Sequence, residues 1–530
     1  MKFETIDIIV FVTYCFIVIG LGLWASRDKK GVKKNANDYF MASKSLPWWV
    51  VGASIIAANI SAEQFIGMSG SGFAIGMGIA TYEFIAALGL VIVAVFFLPI
   101  YMRAKVYTMP EFLEQRFDKR VKTTLAIFWL AVFVFVNLTS ILYLGALAIK
   151  NMMGIDLIWG VVGLAFIAAV YSIYGGLKAV AWTDVIQVIF LIGGGLVTTY
   201  VALSILGHGS VMAGINDLWQ KVGTESANNR FDLILDKSHP FYKDLPGLGV
   251  IIGGLWVANL YYWGCNQYII QRALAASSLD EAQKGLVFAG FIKLILPIIV
   301  VVPGIVAFVL VSEGRLDGIN VADDAYPALL SLVPSGIRGL AFAALVAAIV
   351  SSLASMMNSI STIFTMDIFR EFISPNASQT KLVSVGRLSS VVALLIAIVV
   401  APALGNLDQA FQFIQEFTGF VSPGALAIFL TGFFYKKATA NGALSAALAT
   451  FLLSGFFRLL YPEIPFIDRM GVVFLICLAL IIIVSNFDKR HQTQSKMIQI
   501  DRSLFKTSTG FKIWTGVIIS ILVILYSFWW

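Results

Sequence analysis

Residues 46–72 read L-P-W-W-V-V-G-A-S-I-I-A-A-N-I-S-A-E-Q-F-I-G-M-S-G-S-G. The run is apolar and long enough to cross a hydrocarbon core that takes about 20 helical residues. Its middle nonetheless holds Asn59, Ser61, Glu63 and Gln64, with Gly67 and Gly70 close behind. In lipid, every polar group must be satisfied within the protein, so such an interruption is tolerated only beside a cavity or another helix. The stretch is read as a broken helix that lines a binding site.

The rest of the chain supports a membrane setting. Of its 530 residues, 59% are hydrophobic and 13% charged, far from the balance of soluble domains. A scan for apolar runs gives about fourteen segments, all α-helical. They lie near 7–25, 46–70, 74–101, 123–149, 156–174, 183–206, 247–270, 285–312, 337–366, 382–404, 409–434, 440–460, 467–486 and 512–530. Lys and Arg gather in every second loop, from Arg27–Lys44 and Arg103–Lys122 to Lys489–Lys512. That alternation is the positive-inside pattern. It accounts for the net charge of +7 without a nucleic-acid partner and puts both termini outside. The first segment is followed by the basic run R-D-K-K-G-V-K-K, the reverse of a cleaved signal, so a retained helix is expected. Cys15, Cys265 and Cys477 fall within apolar runs as free thiols, while His208, His239 and His491 lie in loops. A histidine relay or metal site within the membrane is not expected.

Several polar groups then stand out against the apolar background. Glu83, in A-T-Y-E-F, is either a structural ion-pair partner or a ligand group, since a carboxylate at mid-depth costs about 2.5–3.5 kcal/mol unless it is matched. Lys293, alone in F-I-K-L-I-L-P, either snorkels to the cytoplasmic face or turns inward to Glu83 and a substrate. Gly175 and Gly176 make a cytoplasmic turn, after which Thr183 or Asp184 caps the next helix, or Asp184 lies on an ion exit path. The segment 123–149 has no arginine or lysine within it, which argues against a carboxylate substrate. Residues 207–246 form the longest hydrophilic loop, outside and too poor in apolar residues to be a domain. Ser351 and Ser352 are neighbouring hydroxyls that, with carbonyls freed by a broken helix, give the uncharged oxygen set a sodium ion accepts. Gln412, Gln415 and Glu416 precede Pro423 and Gly424, which bend or break their helix.

The strongest organising signal is a correspondence. A-A-N-I at 57–60 is answered by V-A-N-L at 257–260, each followed by further amides and each opening five crossings. Five is odd, so the two sets have opposite orientation. Paired interrupted helices in inverted halves point to the binding site of a secondary transporter. No G-x-x-x-x-G-K-S/T loop occurs, which counts against ATP-driven transport. A membrane enzyme lacks its nucleophile or metal constellation, and a channel lacks its filter motif.

The quoted stretches, together with Y-S-I-Y-G-G-L-K-A-V-A-W-T-D-V-I-Q (171–187), G-G-L-W-V-A-N-L-Y-Y-W-G-C-N-Q-Y-I-I-Q-R (253–272), A-A-I-V-S-S-L-A-S-M-M-N-S (347–359) and F-Q-F-I-Q-E-F-T-G (411–419), resemble the sodium:solute symporter family. The likeness is nearest to its bacterial sodium/galactose and animal sodium/glucose branches. It implies a LeuT-like core of two inverted five-helix repeats, 46–206 and 247–434, separated by the external loop 207–246. An extra helix and basic loop (1–45) would precede the core and three helices (435–530) would follow. It further implies sodium, the co-transported ion, between carbonyls of Ala57, Ile60 and Ala348 and the hydroxyls of Ser351 and Ser352, with Asp184 on the exit path. The sugar would be held by Gln64, Glu83, Asn259, Lys293 and Gln415. Tyr262 would stack beneath it as an inner gate beside Trp263, and Met68, Tyr82 and Phe411 would cover it from outside. Ala86 departs from the serine of the galactose branch, so the implied cargo is a neutral hexose of the galactose or glucose type, with sialic acid or proline as alternatives. The implied setting is a bacterial inner membrane, and the expected partners are the sugar, sodium and lipid, without nucleic acid and with the oligomeric state left open.

Overall fold

The computed structural model describes residues 4–25, 35–223, 229–404, 410–488 and 500–530; His491 and much of the first and last basic runs lie outside them. The described residues form helices joined by turns and irregular connections, with no strand among them beyond one isolated bridge between Leu46 and Ala276. Among the described residues, ten helices are long and apolar enough to span a bilayer, or eleven if one bent pair counts as a span. That pair is Trp48–Asn59 and Glu63–Ala74, which meet at 65°.

The first break falls one residue after Asn59. Ile60 turns extended, at φ −77° and ψ 116°, so the regular ladder stops there. In an unbroken helix the Ala57 carbonyl would accept from the Ser61 N–H. That N–H goes instead to Gln64 Oε1 at 2.9 Å, which releases the Ala57 carbonyl. The chain then resumes as a π-helical turn, Glu63–Met68, a local widening common at functional sites.

The second candidate segment is also broken, and of the amides that mark it in the sequence, Asn266 and not Asn259 is where it opens. Asn259 lies inside the Gly254–Gly264 helix, where its Nδ2 donates to Leu255 O at 3.1 Å. An amide bonded one turn back satisfies itself without opening the ladder. The interruption comes instead at Cys265 and Asn266, the latter extended at φ −87° and ψ 123°, before the short helix Gln267–Leu274. A third helix breaks between Ala410–Thr418 and Ser422–Phe434, with Pro423 in the first turn of the second piece.

Gly176 bends the run Leu157–Leu206 at φ 67° and ψ −161°. A Cβ there would lie 2.5 Å from Tyr39 O, so both conformation and space require glycine. The capping role expected for Thr183 or Asp184 does not hold. Thr183 Oγ1 donates to Ala179 O and Val180 O, the back-bonding of a residue well inside a helix.

The Ile337–Ile373 run forms the centre, with 94% of its most apolar window buried. The Thr509–Phe528 helix is peripheral, at 17%. The hydrophilic stretch before the second broken helix is packed rather than loose. Met77 N donates to Arg230 O at 2.6 Å, Thr81 Oγ1 to Leu233 O, and Arg230 Nη1 to Phe73 O. Arg230 thus tethers that stretch to the last carbonyls of the Ser69–Ala74 helix, a favourable place for a cation. Leu233 and Leu245 are buried beneath it.

Candidate functional site

The breaks converge on a polar cavity of about 60 Å³. By the usual allowance of about 10–15 Å³ per water, it has room for a handful of waters. The first broken helix contributes Asn59, Glu63 and Gln64, and the Thr81–Ile92 helix contributes Tyr82, Glu83 and Ala86. Asn259, Tyr262 and Trp263 come from Gly254–Gly264, Lys293 from Leu279–Val300, and Phe411 and Gln415 from Ala410–Thr418.

Lys293 settles the choice left open by its sequence. Its ammonium is bonded to the Glu83 carboxylate and to Asn59 Oδ1, and the side chain is 1% exposed. It does not snorkel; it is the buried counter-charge of Glu83, lying 5.1 Å from the centre of the Trp263 ring. Asn59 passes the connection on, its Nδ2 donating to the Tyr262 hydroxyl at 2.9 Å. Tyr262 in turn bonds the Tyr268 hydroxyl. Trp263 Nε1 donates to Asn259 Oδ1 at 3.0 Å, so this amide is held in place on both sides.

Tyr82 and Phe411 pack edge to face, centroids 5.2 Å apart, along another wall. Met68, expected beside them, is fully buried and does not line the cavity. Gln64 lines it, but its Oε1 is engaged by Ser61 N and Ser61 Oγ, so the residue also holds the break. The sequence reading left out Glu63, Thr418, Ser422 and Met470, which line the same space. Asn59 and Glu63 were visible as mid-membrane polar groups. Thr418 and Ser422 could have been found because they flank the third break.

A second polar centre lies behind the first break. Ser352 Oγ donates to Ala58 O at 3.0 Å and to Ile60 O at 3.1 Å, which brings its hydroxyl to the opened end of the Trp48–Asn59 helix. Ala57 and Ala348 are fully buried nearby in sequence, on the same two helices. Ala58 is a carbonyl that the sequence reading did not include. Ser351 Oγ instead donates to Asp184 Oδ1 at 2.6 Å, while Asp184 Oδ2 accepts from Ser54 Oγ at 2.5 Å. Arg272, invisible as a site residue in sequence, completes this cluster. Its Nε lies 2.8 Å from Ser54 Oγ and 3.8 Å from Asp184 Oδ2, and it also donates to Tyr268 O and Ser355 Oγ. Both charges are fully buried, a state that depends on their pairing.

Among the described residues, no group of three or more His, Cys, Asp or Glu side chains is placed to hold a metal. The oxygens around Ser352 are neutral carbonyls and hydroxyls, a set that suits a hard monovalent cation and not a transition metal.

Comparison with known proteins supplies the family. The model of the sodium:solute symporter family matches residues 39–450. A sodium/glucose cotransporter of Vibrio parahaemolyticus is 53% identical over 99% of this chain and 98% of its own. A sodium/myo-inositol cotransporter 2 of rabbit, Oryctolagus cuniculus, is 35% identical over 86% of this chain and 70% of its own. Among solved structures, the substrate-bound, outward-open state of a sodium-coupled sialic acid symporter superposes with a TM-score of 0.81 at 23% identity. That superposition covers 92% of this chain and 99% of the other, and it establishes a shared fold. With the family model spanning most of its length and a full-length relative at this identity, the chain belongs to the sodium:solute symporter family.

Proposed function

We propose that the protein is a secondary active transporter in which inward movement of sodium drives uptake of a neutral hexose by alternating access. One observation carries this reading: a single break, at Ile60 and Ser61, serves both polar centres. On one side it frees carbonyls that face Ser352; on the other it holds Asn59 and Gln64 at the cavity. An ion that orders those carbonyls therefore also positions the amides that meet a sugar. The cavity's chemistry agrees, since amides, a carboxylate paired with an amine, and an aromatic wall match hydroxyls that both donate and accept. The name of the Vibrio relative points the same way.

In this reading sodium is held by the carbonyls of Ala57, Ile60 and Ala348 and the hydroxyls of Ser351 and Ser352, and Asp184 receives it on the way in. Gln64, Glu83, Asn259, Lys293 and Gln415 hold the sugar over Tyr262. Trp263, Tyr82 and Phe411, which line the cavity, act as the gates that admit it. The core is organised as two inverted sets of five crossings, 46–206 and 247–434, about fourteen crossings in all, with both termini outside a bacterial inner membrane. Each sodium gains about 2.3 kcal/mol per 100 mV of membrane potential.

The test is uptake into proteoliposomes under an imposed sodium gradient, with glucose, galactose, sialic acid and proline as cargo. Accumulation of a hexose that collapses with the gradient supports the proposal. Uptake of hexose indifferent to sodium, or uptake of sialic acid or proline alone, overturns it.

A further inference from the structure

We infer that Glu63 is a charge filter at this cavity, which makes it accept uncharged and cationic sugars and turn away carboxylated ones. The inference rests on the reading of the cavity as a sugar site and goes beyond it by naming which sugars are refused and what refuses them.

Two carboxylates and one amine line the cavity: Glu63, Glu83 and Lys293. The amine is already committed, to Glu83 and to Asn59. Among the described residues, the Glu63 carboxylate has no hydrogen-bond or ion-pair partner; only the backbone N–H of this residue is engaged, by Ser61 Oγ at 3.1 Å. With one positive and two negative groups, the lining carries a net charge of −1 whenever Glu63 is ionised. Glu63 also borders a smaller cavity of about 20 Å³ that it shares with Ser352, Asn137 and Gln415. None of the residues lining it supplies a positive charge.

An ionised carboxylate can only accept hydrogen bonds. A sugar hydroxyl or ammonium brings it the donor it lacks, and a hydroxyl does so without disturbing the Glu83–Lys293 pair. A uronic acid brings a second acceptor of the same sign, with no free cation in the lining to meet it. Its binding requires both desolvation of that charge and repulsion from Glu63, the kind of mismatch by which sites exclude close analogues.

The experiment compares glucose derivatives that differ only at the sixth carbon: glucuronamide, glucuronate and 6-amino-6-deoxyglucose. Each competes with labelled glucose for sodium-driven uptake into proteoliposomes carrying the full-length protein, at several pH values at which the amine stays protonated, with the ratio read at the upper end where Glu63 is ionised. The amide and the amine are expected to compete at least about tenfold better than the carboxylate, a difference of about 1.4 kcal/mol. In Glu63→Gln the ratio of amide to carboxylate should fall to within about threefold, and in Glu63→Asp it should stay near the parent value. The ratio is internal to each variant, so lower expression or folding yield does not move it. Equal competition by amide and carboxylate in the parent, or an unchanged ratio in Glu63→Gln, overturns the filter while leaving the hexose reading intact. Absence of any sodium-driven glucose uptake removes both.

Discussion

At the scale of single residues, the side chains with the clearest consequences are those bonded across the first break. Ser352 reaches two carbonyls at once, so Ser352→Ala should raise the sodium concentration needed for half-maximal uptake by about tenfold, the effect of about 1.4 kcal/mol. Hexose affinity at saturating sodium should change much less. Gln64→Ala is expected to behave differently. Because Gln64 Oε1 holds the Ser61 N–H as well as lining the cavity, the substitution should weaken both sodium and hexose, and sodium titrations at several hexose concentrations will separate the two patterns. These residues were legible in sequence because polar groups at mid-membrane depth need a reason. Glu83 and Lys293 were legible on the same ground, and the structure decides between the alternatives by pairing them. Arg272 was not legible. It stands at the end of a segment beside other polar residues, where a basic side chain ordinarily meets water, and only the fold folds it back onto Asp184, Ser54 and Ser355.

At the scale of elements, the breaks and their close contacts set the architecture. The first break was legible because Asn59, Ser61 and Gln64 interrupt an apolar run, and it falls where they predict. The second was legible in the same way, from the amides at Asn259, Asn266 and Gln267: Asn259 bonds within its own helix to Leu255 O, and the opening falls at Cys265 and Asn266. Amide clusters mark a broken helix well but do not fix the peptide that gives way. The second half of the first broken helix is seated by glycines. A Cβ on Gly304 would lie 2.0 Å from Ser69 O, and one on Gly72 would lie 2.6 Å from Val301 O. Gly304→Ala should therefore wedge the two helices apart, lower the thermal midpoint in detergent by the equivalent of about 1–3 kcal/mol and reduce uptake. Behind the break, Asp184 and Arg272 join the Leu157–Leu206 helix to Gln267–Leu274. Removing one partner of a buried pair costs about 3–5 kcal/mol. Arg272→Gln should thus be strongly destabilised and Arg272→Gln with Asp184→Asn largely restored, a double-mutant cycle read by thermal unfolding; equal loss in both would show that the charges are not coupled.

For the whole molecule, hydropathy and loop charge made the membrane class and helix positions legible, since a bilayer imposes length and polarity on every crossing. The packing of residues 229–247 over the Ser69–Ala74 helix was not legible, because Arg230 and its neighbours look like a solvated loop until their carbonyl partners are in place. The central claim is that one broken helix serves both cargo sites, which makes the sites thermodynamically linked. Linkage is reciprocal: the factor by which sodium tightens hexose must equal the factor by which hexose tightens sodium. The direct measurement is equilibrium binding of a hexose to the purified protein across a sodium titration, with the converse titration of sodium across hexose. The account expects matching factors, with a coupling of about 1–3 kcal/mol that Ser352→Ala sharply reduces. Hexose binding of equal strength with and without sodium would contradict it.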